Sequence, residues 1–338
     1  MKAIIRVDAS HQLGFGHLFR SIALANELKK KISVQFFCND YAKTLNIIND
    51  SGFQAIPLPH DDDSLLINYC SSHQIDFVIF DTLIDYSEEF IKALKEKSRV
   101  IFIHTYARGR FFADLAVYPA AHLQEELLKD EKWLVGNTRL LAGPDYVLLN
   151  ENIFQIKTSK TVNDNVQKVV FLAGGSDPTN SLLRIHSWVI RNLSYAKVKF
   201  QFLVGEGSSY IMENFTNFKS DNTEFVPFSL NELSDADIAV CAFGVSTYEL
   251  VYLGIPTIKN AHSEFHAQAA DRFYTKNQCT LNVGYLSEAK ENELMKRILQ
   301  LIEKREDRIS LTRSCLKLID GKGISRVANE ILKLKPLE

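Results

Sequence analysis

Cysteine is scarce. Five residues in 338 (Cys38, Cys70, Cys241, Cys279 and Cys315) are odd in number, scattered, and nowhere form a C-x-x-C pair. That usage signals neither a disulfide framework nor a thiolate zinc site and points to a reducing, cytoplasmic setting. An excess of one charge is missing as well: 39 Lys and Arg against 41 Asp and Glu leave a net charge of −2, too balanced to hold nucleic acid or an anionic membrane by charge alone. No run approaches the ~18 apolar residues of a membrane span, and charge arrives at Arg6, so neither membrane insertion nor export is expected. Internal repeats and low-complexity tracts are also lacking. What is there is an ordinary globular balance, 46% hydrophobic beside 24% charged, on a chain long enough for about two domains.

Short apolar runs rich in β-branched and aromatic residues alternate with longer amphipathic stretches, the pattern of βα units around a mostly parallel sheet. The runs lie at 3–7, 33–37, 77–80, 100–103 and 115–117, and again at 168–172, 198–204, 224–226, 238–241 and 257–259. The clearest helix is expected over 17–30, where Leu18, Ile22, Ala25 and Leu28 share a face and lysines close the last turn. The polar stretch 157–165 has no apolar periodicity and reads as a linker between domains at 1–155 and 166–338, with two or three helices over 288–334 broken at Gly321 and Gly323. The expected fold class is α/β: two doubly wound, Rossmann-like domains facing a central cleft.

Three loops run from a strand into a helix, where ligands bind in open α/β sheets and free N–H groups suit a phosphate. The first spans Asp8 to Arg20 and carries Ser10, Gly14, Gly16 and His17. It fails the dinucleotide fingerprint because Phe19 stands at the third glycine position. His17 is either a base for proton transfer or a cap of its own loop; Arg20 meets either a phosphate or a carboxylate. The second loop holds Gly174, Gly175, Ser176 and Asp177, with Asp177 a natural N-cap before Pro178. The third runs Gly244, Val245, Ser246, Thr247 and on to Glu249, a carboxylate that either accepts the hydroxyls of a ribose or complements the helix dipole. Together they point to a nucleotide or polyphosphate ligand. Other constellations are weaker. His262 and His266 are i, i+4 without the glutamate order of H-E-x-x-H, the His60-Asp61-Asp62-Asp63 run suits a helix start, and no serine sits in a nucleophile elbow. Neither a metal nor a cofactor is expected.

The first loop, D-x-S-x-x-x-G-x-G-H-x-x-R over 8–20, resembles the opening signature of the UDP-2,4-diacetamido-2,4,6-trideoxy-β-L-altropyranose hydrolases of pseudaminic acid biosynthesis. These are relatives of the spore-coat polysaccharide proteins and of MurG-type glycosyltransferases. The resemblance extends through Leu141 to Leu149 with Tyr146, through the Gly174-Gly175-Ser176-Asp177 loop, and through the block Ser246 to Pro256. It implies a GT-B architecture, a UDP-sugar as partner, and a histidine at position 17 that activates water, the first domain serving the sugar and the second the UDP. Asn150 and Gln268 would complete the substrate contacts, although this chain departs from the family there and at His104-Thr105, where relatives often carry Asp-Asp. The expected activity is hydrolysis of the UDP-sugar. The alternatives are glycosyl transfer from a nucleotide sugar in surface polysaccharide or glycoprotein synthesis, and nucleotide-sugar binding without turnover.

Overall fold

Seven parallel strands build the first sheet and six the second in the computed structural model, which describes residues 1–58, 63–156, 161–175, 177–194, 196–205, 208 and 220–337. The chain divides into two units, Met1–Asn150 with Gly321–Glu338, and Glu151–Asp320.

The first unit runs β1 (Lys2–Val7), α1 (Gly16–Leu28), β2 (Ser33–Cys38), α2 (Ala42–Asp50), β3 (Ala55–Pro57), α3 (Asp63–His73), β4 (Phe77–Asp81), α4 (Glu88–Lys95), β5 (Arg99–Ile103), β6 (Leu115–Tyr118), α5 (Gln124–Lys129), α6 (Lys132–Val135) and β7 (Arg139–Ala142). Its strand order is β3-β2-β1-β4-β5-β6-β7. The second unit runs β8 (Lys168–Leu172), α7 (Ser181–Leu193), β9 (Lys199–Val204), β10 (Thr223–Pro227), β11 (Ile238–Ala242), α8 (Val245–Tyr252), β12 (Thr257–Ala261), α9 (Glu264–Asn277), β13 (Leu281–Tyr285), α10 (Glu291–Glu303) and α11 (Arg305–Leu318), in the order β10-β9-β8-β11-β12-β13. Both orders are doubly wound, reversing direction between β1 and β4 and between β8 and β11. That crevice is where open α/β sheets take ligands.

The central strands are mostly apolar and buried because helices cover both faces, with charged residues such as Lys168 and Asp81 at strand ends and Arg6 beside one. Ile5 and Val7 of β1 enter one core with Leu18, Ile22 and Leu24 of α1, while Ile4 packs oppositely with Phe80, Phe102 and Phe90. In the second unit Val169, Phe171, Phe200 and Phe202 pack against Ile185, Trp188 and Val189 of α7 and Leu294, Ile298 and Leu301 of α10. Each fully buried aliphatic or aromatic side chain contributes about 1.5–3 kcal/mol, so these faces hold the loops at the strand ends in place.

The domain expectation of 166–338 needs a correction at its end. The last helix, α12 (Gly323–Lys333), belongs to the first unit. Its Ile324, Val327, Ala328 and Ile331 complete the core that contains Leu18 and Ile22. Gly323 permits the approach, since a Cβ there would stand 2.1 Å from the Val147 carbonyl oxygen. Arg326 adds a hydrogen bond to the Asp145 carbonyl at 3.1 Å. At the other boundary, residues 151–155 fall in the second unit rather than the first. Among the described residues no helix is long and apolar enough to cross a membrane.

Candidate active site

At the crevice of the first sheet, Val7 pairs with Asp81, so the loop leaving β1 and the last residue of β4 meet. Asp8 begins that loop. One of its oxygens accepts from Arg6 Nη1 at 2.6 Å and from the Asn39 N–H at 2.8 Å, and the other from Thr82 Oγ1 at 2.9 Å. Asp8 therefore ties together the chain ends leaving β1, β2 and β4. Expected as a substrate contact, Asp8 has both oxygens engaged within the protein and is 5% exposed. Ser10 shapes the next turn, its hydroxyl accepting from the Leu13 N–H at 3.2 Å and its carbonyl from the Gly14 N–H at 2.8 Å. Gly14 needs its missing side chain, because its φ of +76° lies in the left-handed region. The turn delivers the chain into α1 at Gly16 with no side-chain cap and no acid in the first turn.

His17, the second residue of α1, places Nδ1 2.6 Å from Asp81 Oδ1. Arg20, one turn on, grips the same carboxylate with Nε on Oδ2 at 2.7 Å and Nη2 on Oδ1, and Ser21 Oγ donates to Oδ2 at 2.9 Å. Arg20 Nη2 also lies 3.0 Å from His17 Nδ1. Asp81 is completely buried. Burial alone would raise its carboxyl, but the Arg20 guanidinium and the His17 imidazole outweigh it and hold the group well below the usual carboxylate range. Nδ1 thus has two neighbours with opposite demands, a carboxylate that can only accept and a guanidinium that can only donate; the shorter contact is to Asp81, and Arg20 Nη2 already donates to the same Oδ1, so the proton is assigned to Nδ1 and the lone pair to Nε2. Nε2 makes no hydrogen bond among the described residues, and the side chain is 23% exposed. A buried acid thus sets the tautomer and orientation of this imidazole, the arrangement that a general base requires. Of the two partners expected for Arg20, the structure shows the carboxylate, that of Asp81.

In the second unit, Asp177 sits at φ +42° and its carboxylate accepts from the Ser181 N–H at 2.8 Å, the Ser181 hydroxyl at 2.7 Å and the Leu182 N–H at 3.0 Å. Asp177, expected among the ligand contacts and as an N-cap, thus caps α7 from four residues upstream and engages its first donors. Gly174, at φ +80°, and Gly175 remain exposed on the same loop. Ser176 lies outside the described residues. After β11, the Gly244 N–H donates to Thr247 Oγ1 at 3.1 Å and the Thr247 N–H to the Gly244 carbonyl at 3.0 Å. Thr247 is fully buried, and its hydroxyl closes this turn as an acceptor. The N–H groups of Val245 and half-buried Ser246 carry no hydrogen bond among the described residues, leaving the start of α8 able to receive an anion. Glu249 follows in the same helix, 7% exposed, and burial pushes its carboxyl up to about 7. It too makes no hydrogen bond among the described residues.

Other expected contacts fall elsewhere. Tyr146 packs on the core of the first unit that α12 completes, and half-buried Asn150 ends that unit. Gln268 lies on α9 along a groove of about 720 Å³ shared with Asp271, Asn282, Gly284 and Tyr285, whose lining includes neither Gly174, Gly244 nor Glu249. Among the described residues no group of three or more His, Cys, Asp or Glu side chains is arranged to hold a metal ion. His60, Asp61 and Asp62 lie outside those residues, and His266 Nδ1 is turned to Ser263 Oγ at 2.8 Å. The residue missed by sequence reasoning is Asp81. Its signal was an acid closing a buried apolar run at the carboxyl end of a strand.

No family model matches the chain. It is 22% identical over 331 residues to the spore coat polysaccharide biosynthesis protein SpsG of Bacillus subtilis, covering 96% of this chain and 95% of that protein. It is 25% identical over 316 residues to the uncharacterised protein MJ1062 of Methanocaldococcus jannaschii, covering 87% of this chain but only 63% of that longer protein. Acinetobacter baumannii MurG superposes with a TM-score of 0.66 at 13% identity, covering 99% of this chain and 100% of that one. Neisseria meningitidis UDP-GlcNAc 2-epimerase bound to UDP-GlcNAc superposes at 0.68 with 14% identity, covering 98% and 100%. The fold is therefore the expected one, two parallel-sheet Rossmann-like domains matching GT-B glycosyltransferases such as MurG, and its structural neighbours include proteins of nucleotide-sugar chemistry.

Proposed function

We propose that the protein is a GT-B-type glycosyltransferase that takes a sugar from a UDP-sugar donor and passes it to an acceptor hydroxyl in polysaccharide synthesis. The observation that carries this reading is His17 held by Asp81 and Arg20 at the crevice of the first sheet, with Nε2 unencumbered. The distant relationship to SpsG supports the setting, and the neighbours MurG and the UDP-GlcNAc-bound epimerase support the donor class. In the reaction, Nε2 takes the acceptor proton as the acceptor oxygen attacks the anomeric carbon opposite the diphosphate. The bond from that carbon to the diphosphate oxygen breaks, its electron pair leaves with UDP, and the anomeric centre inverts. The imidazolium formed is stabilised by Asp81. A diphosphate leaves as a stabilised anion, and within the second unit the N–H groups at the start of α8 suit such an anion.

Hydrolysis is the same chemistry with water as acceptor, and the D-x-S-x-x-x-G-x-G-H-x-x-R loop favours it. Purified protein incubated with UDP-sugars alone and with mono- and disaccharide acceptors separates the two. UDP release that requires an acceptor supports transfer, and release in water alone supports hydrolysis. Binding without UDP release under both conditions, or a donor epimerised with its diphosphate intact, overturns both.

The second unit carries its own expectation. Glu249, protonated below about pH 7 by burial, accepts both ribose hydroxyls only when ionised. UDP binding near pH 6.5 should therefore release a proton, visible as a buffer-dependent heat in titration calorimetry. Glu249→Ala should abolish that release and weaken UDP binding by about 1.5–3 kcal/mol. A raised folded-state value means that this group's contribution to stability is full below the unfolded carboxyl value, near pH 4.3, and is lost as pH rises through about 7. Stability measured at pH 8 should accordingly improve in the alanine variant even as UDP affinity falls. Unchanged UDP affinity would remove Glu249 from the site.

A further inference from the structure

We infer that His104 is a specificity-determining residue, hydrogen-bonding an uncharged hydroxyl or amide substituent of the sugar whose transfer His17 promotes. The inference rests on the nucleotide-sugar reading above and names the part of the substrate that the first unit reads. His104 is the residue immediately after β5, and the Phe80–Phe102 pairing sets it one strand over from the end of β4, beside the Asp81 carboxylate. Its electrostatic neighbours are Arg20, His17, Asp81 and His122, so the ring stands beside the base and its acid.

The backbone there is unusual. His104 has φ +47°, a left-handed conformation that non-glycine residues hold only where their surroundings fix it. Its N–H donates to the Val117 carbonyl at 2.8 Å, which fastens it to β6. Tyr106 and Tyr118 flank the ring at centroid distances of 6.1 and 6.2 Å. Tyr118 is locked by its hydroxyl bond to the Thr105 carbonyl, whereas Tyr106 is 54% exposed and offers an apolar face to a sugar ring. Despite this fixed setting, the half-buried imidazole makes no hydrogen bond among the described residues. A polar ring held rigidly, flanked by aromatics and unsatisfied within the protein is arranged for a partner from outside.

The charge state selects the partner. Burial first, and then Arg20 and His17, push the imidazole down to about 3, so it remains neutral at any working pH. A neutral imidazole offers one donor and one acceptor and has no charge with which to favour a carboxylate or phosphate. Hydroxyl and amide groups match that pair of functions.

The test compares His104→Leu with His104→Asn, using UDP-GlcNAc, UDP-glucose and UDP as probes. Asparagine keeps a donor and an acceptor and tolerates the left-handed backbone; leucine keeps bulk alone. The leucine variant should lose about 10-fold in kcat/KM, or in affinity, for the UDP-sugars contacted, while UDP affinity stays at the wild-type level and the melting temperature falls by no more than the roughly 2–8 °C that the left-handed backbone costs an ordinary side chain. The asparagine variant should recover most of the loss. A loss confined to UDP-GlcNAc identifies an amide partner, and a loss common to both sugars a shared hydroxyl. Equal losses in both variants, a loss matched by UDP affinity, a loss absent at temperatures where the leucine variant is fully folded, or leucine behaviour within two-fold of wild type for both sugars overturns the inference. If the wild type turns over no UDP-sugar but binds UDP-GlcNAc or UDP-glucose more tightly than UDP, and leucine removes that margin, the transfer reading fails and the recognition role stands. If no such margin exists in that case, both fail.

Discussion

Exchanging His17 for alanine lowers kcat about 10²–10⁴-fold, the share typical of a general base, and leaves UDP affinity within about two-fold. The two effects separate because the side chains concerned belong to different sheets. Nε2 of His17 faces the crevice of the first unit, whereas the free N–H groups of Val245 and Ser246 and the carboxyl of Glu249 are carried by α8 of the second. A histidine that merely capped its own loop would behave otherwise. The loop is closed by Ser10 and Gly14, and the partners of His17 are Asp81 and Arg20, so alanine removes no bond that shapes the turn. The melting temperature should fall only slightly for a side chain 23% exposed. Measuring kcat, UDP affinity and melting temperature on one preparation decides the matter, and a folded, UDP-binding variant with near-normal turnover would falsify the assignment.

Why His17 was legible in the sequence and Asp81 was not has a physical explanation. His17 announces itself locally, through two glycines and a helix start within a few residues. Asp81 acquires meaning only from strand order, because β4 lies beside β1 at the crevice although more than sixty residues separate Asp81 from His17. Periodicity cannot supply that order, so 77–80 read simply as a buried run. The same distinction resolves Arg20, whose phosphate and carboxylate alternatives needed the position of β4 to decide. Asp8 and Asp177 were legible as polar groups at strand ends but not as groups already satisfied; hydrogen bonds to Asn39 and Thr82, or to Ser181 and Leu182, are facts of folding.

The strands that the sequence did not reveal are β3, β7 and β13, and each is an edge strand of its sheet. Covered on fewer sides, they lack the continuous apolar run of β4, β8 or β11; only β7 among them buries two adjacent residues. The tail helices were visible from their amphipathic pattern and the glycines at 321 and 323. An apolar face does not say which core it enters, however, and α12 enters the first.

Asp81→Asn should lower kcat by about 10³–10⁴-fold, the size of effect that a carboxylate-to-amide exchange has in serine-protease triads. The two carboxylate oxygens take four donors, namely Nδ1 of His17, Nε and Nη2 of Arg20, and the Ser21 hydroxyl. An amide supplies one oxygen. If its nitrogen turns towards His17, the imidazole must move its proton to Nε2 and loses the lone pair that accepts the substrate proton. If the nitrogen turns towards Arg20 Nε instead, two donors face each other; and in either orientation the neutral amide leaves a guanidinium with a side chain only 7% exposed without its counter-charge, which costs about 3–5 kcal/mol of stability. The exchange therefore removes stability as well as function, so kcat must be measured where UDP binding shows the protein folded. Trp133 belongs to the first unit and Trp188 to the second, and fluorescence in a Trp188→Phe background follows the affected unit. The pH dependence supplies an independent check. A depressed folded-state value means that the ionised carboxylate stabilises fully above the unfolded value, near pH 3.9, and that this stability is lost as pH falls through the folded value. An amide does not titrate there, so the stability gap between wild type and variant should narrow steadily below about pH 4. A gap constant across that range would mean that Asp81 is not ionised against Arg20, and turnover within three-fold of wild type would mean that it does not orient the base.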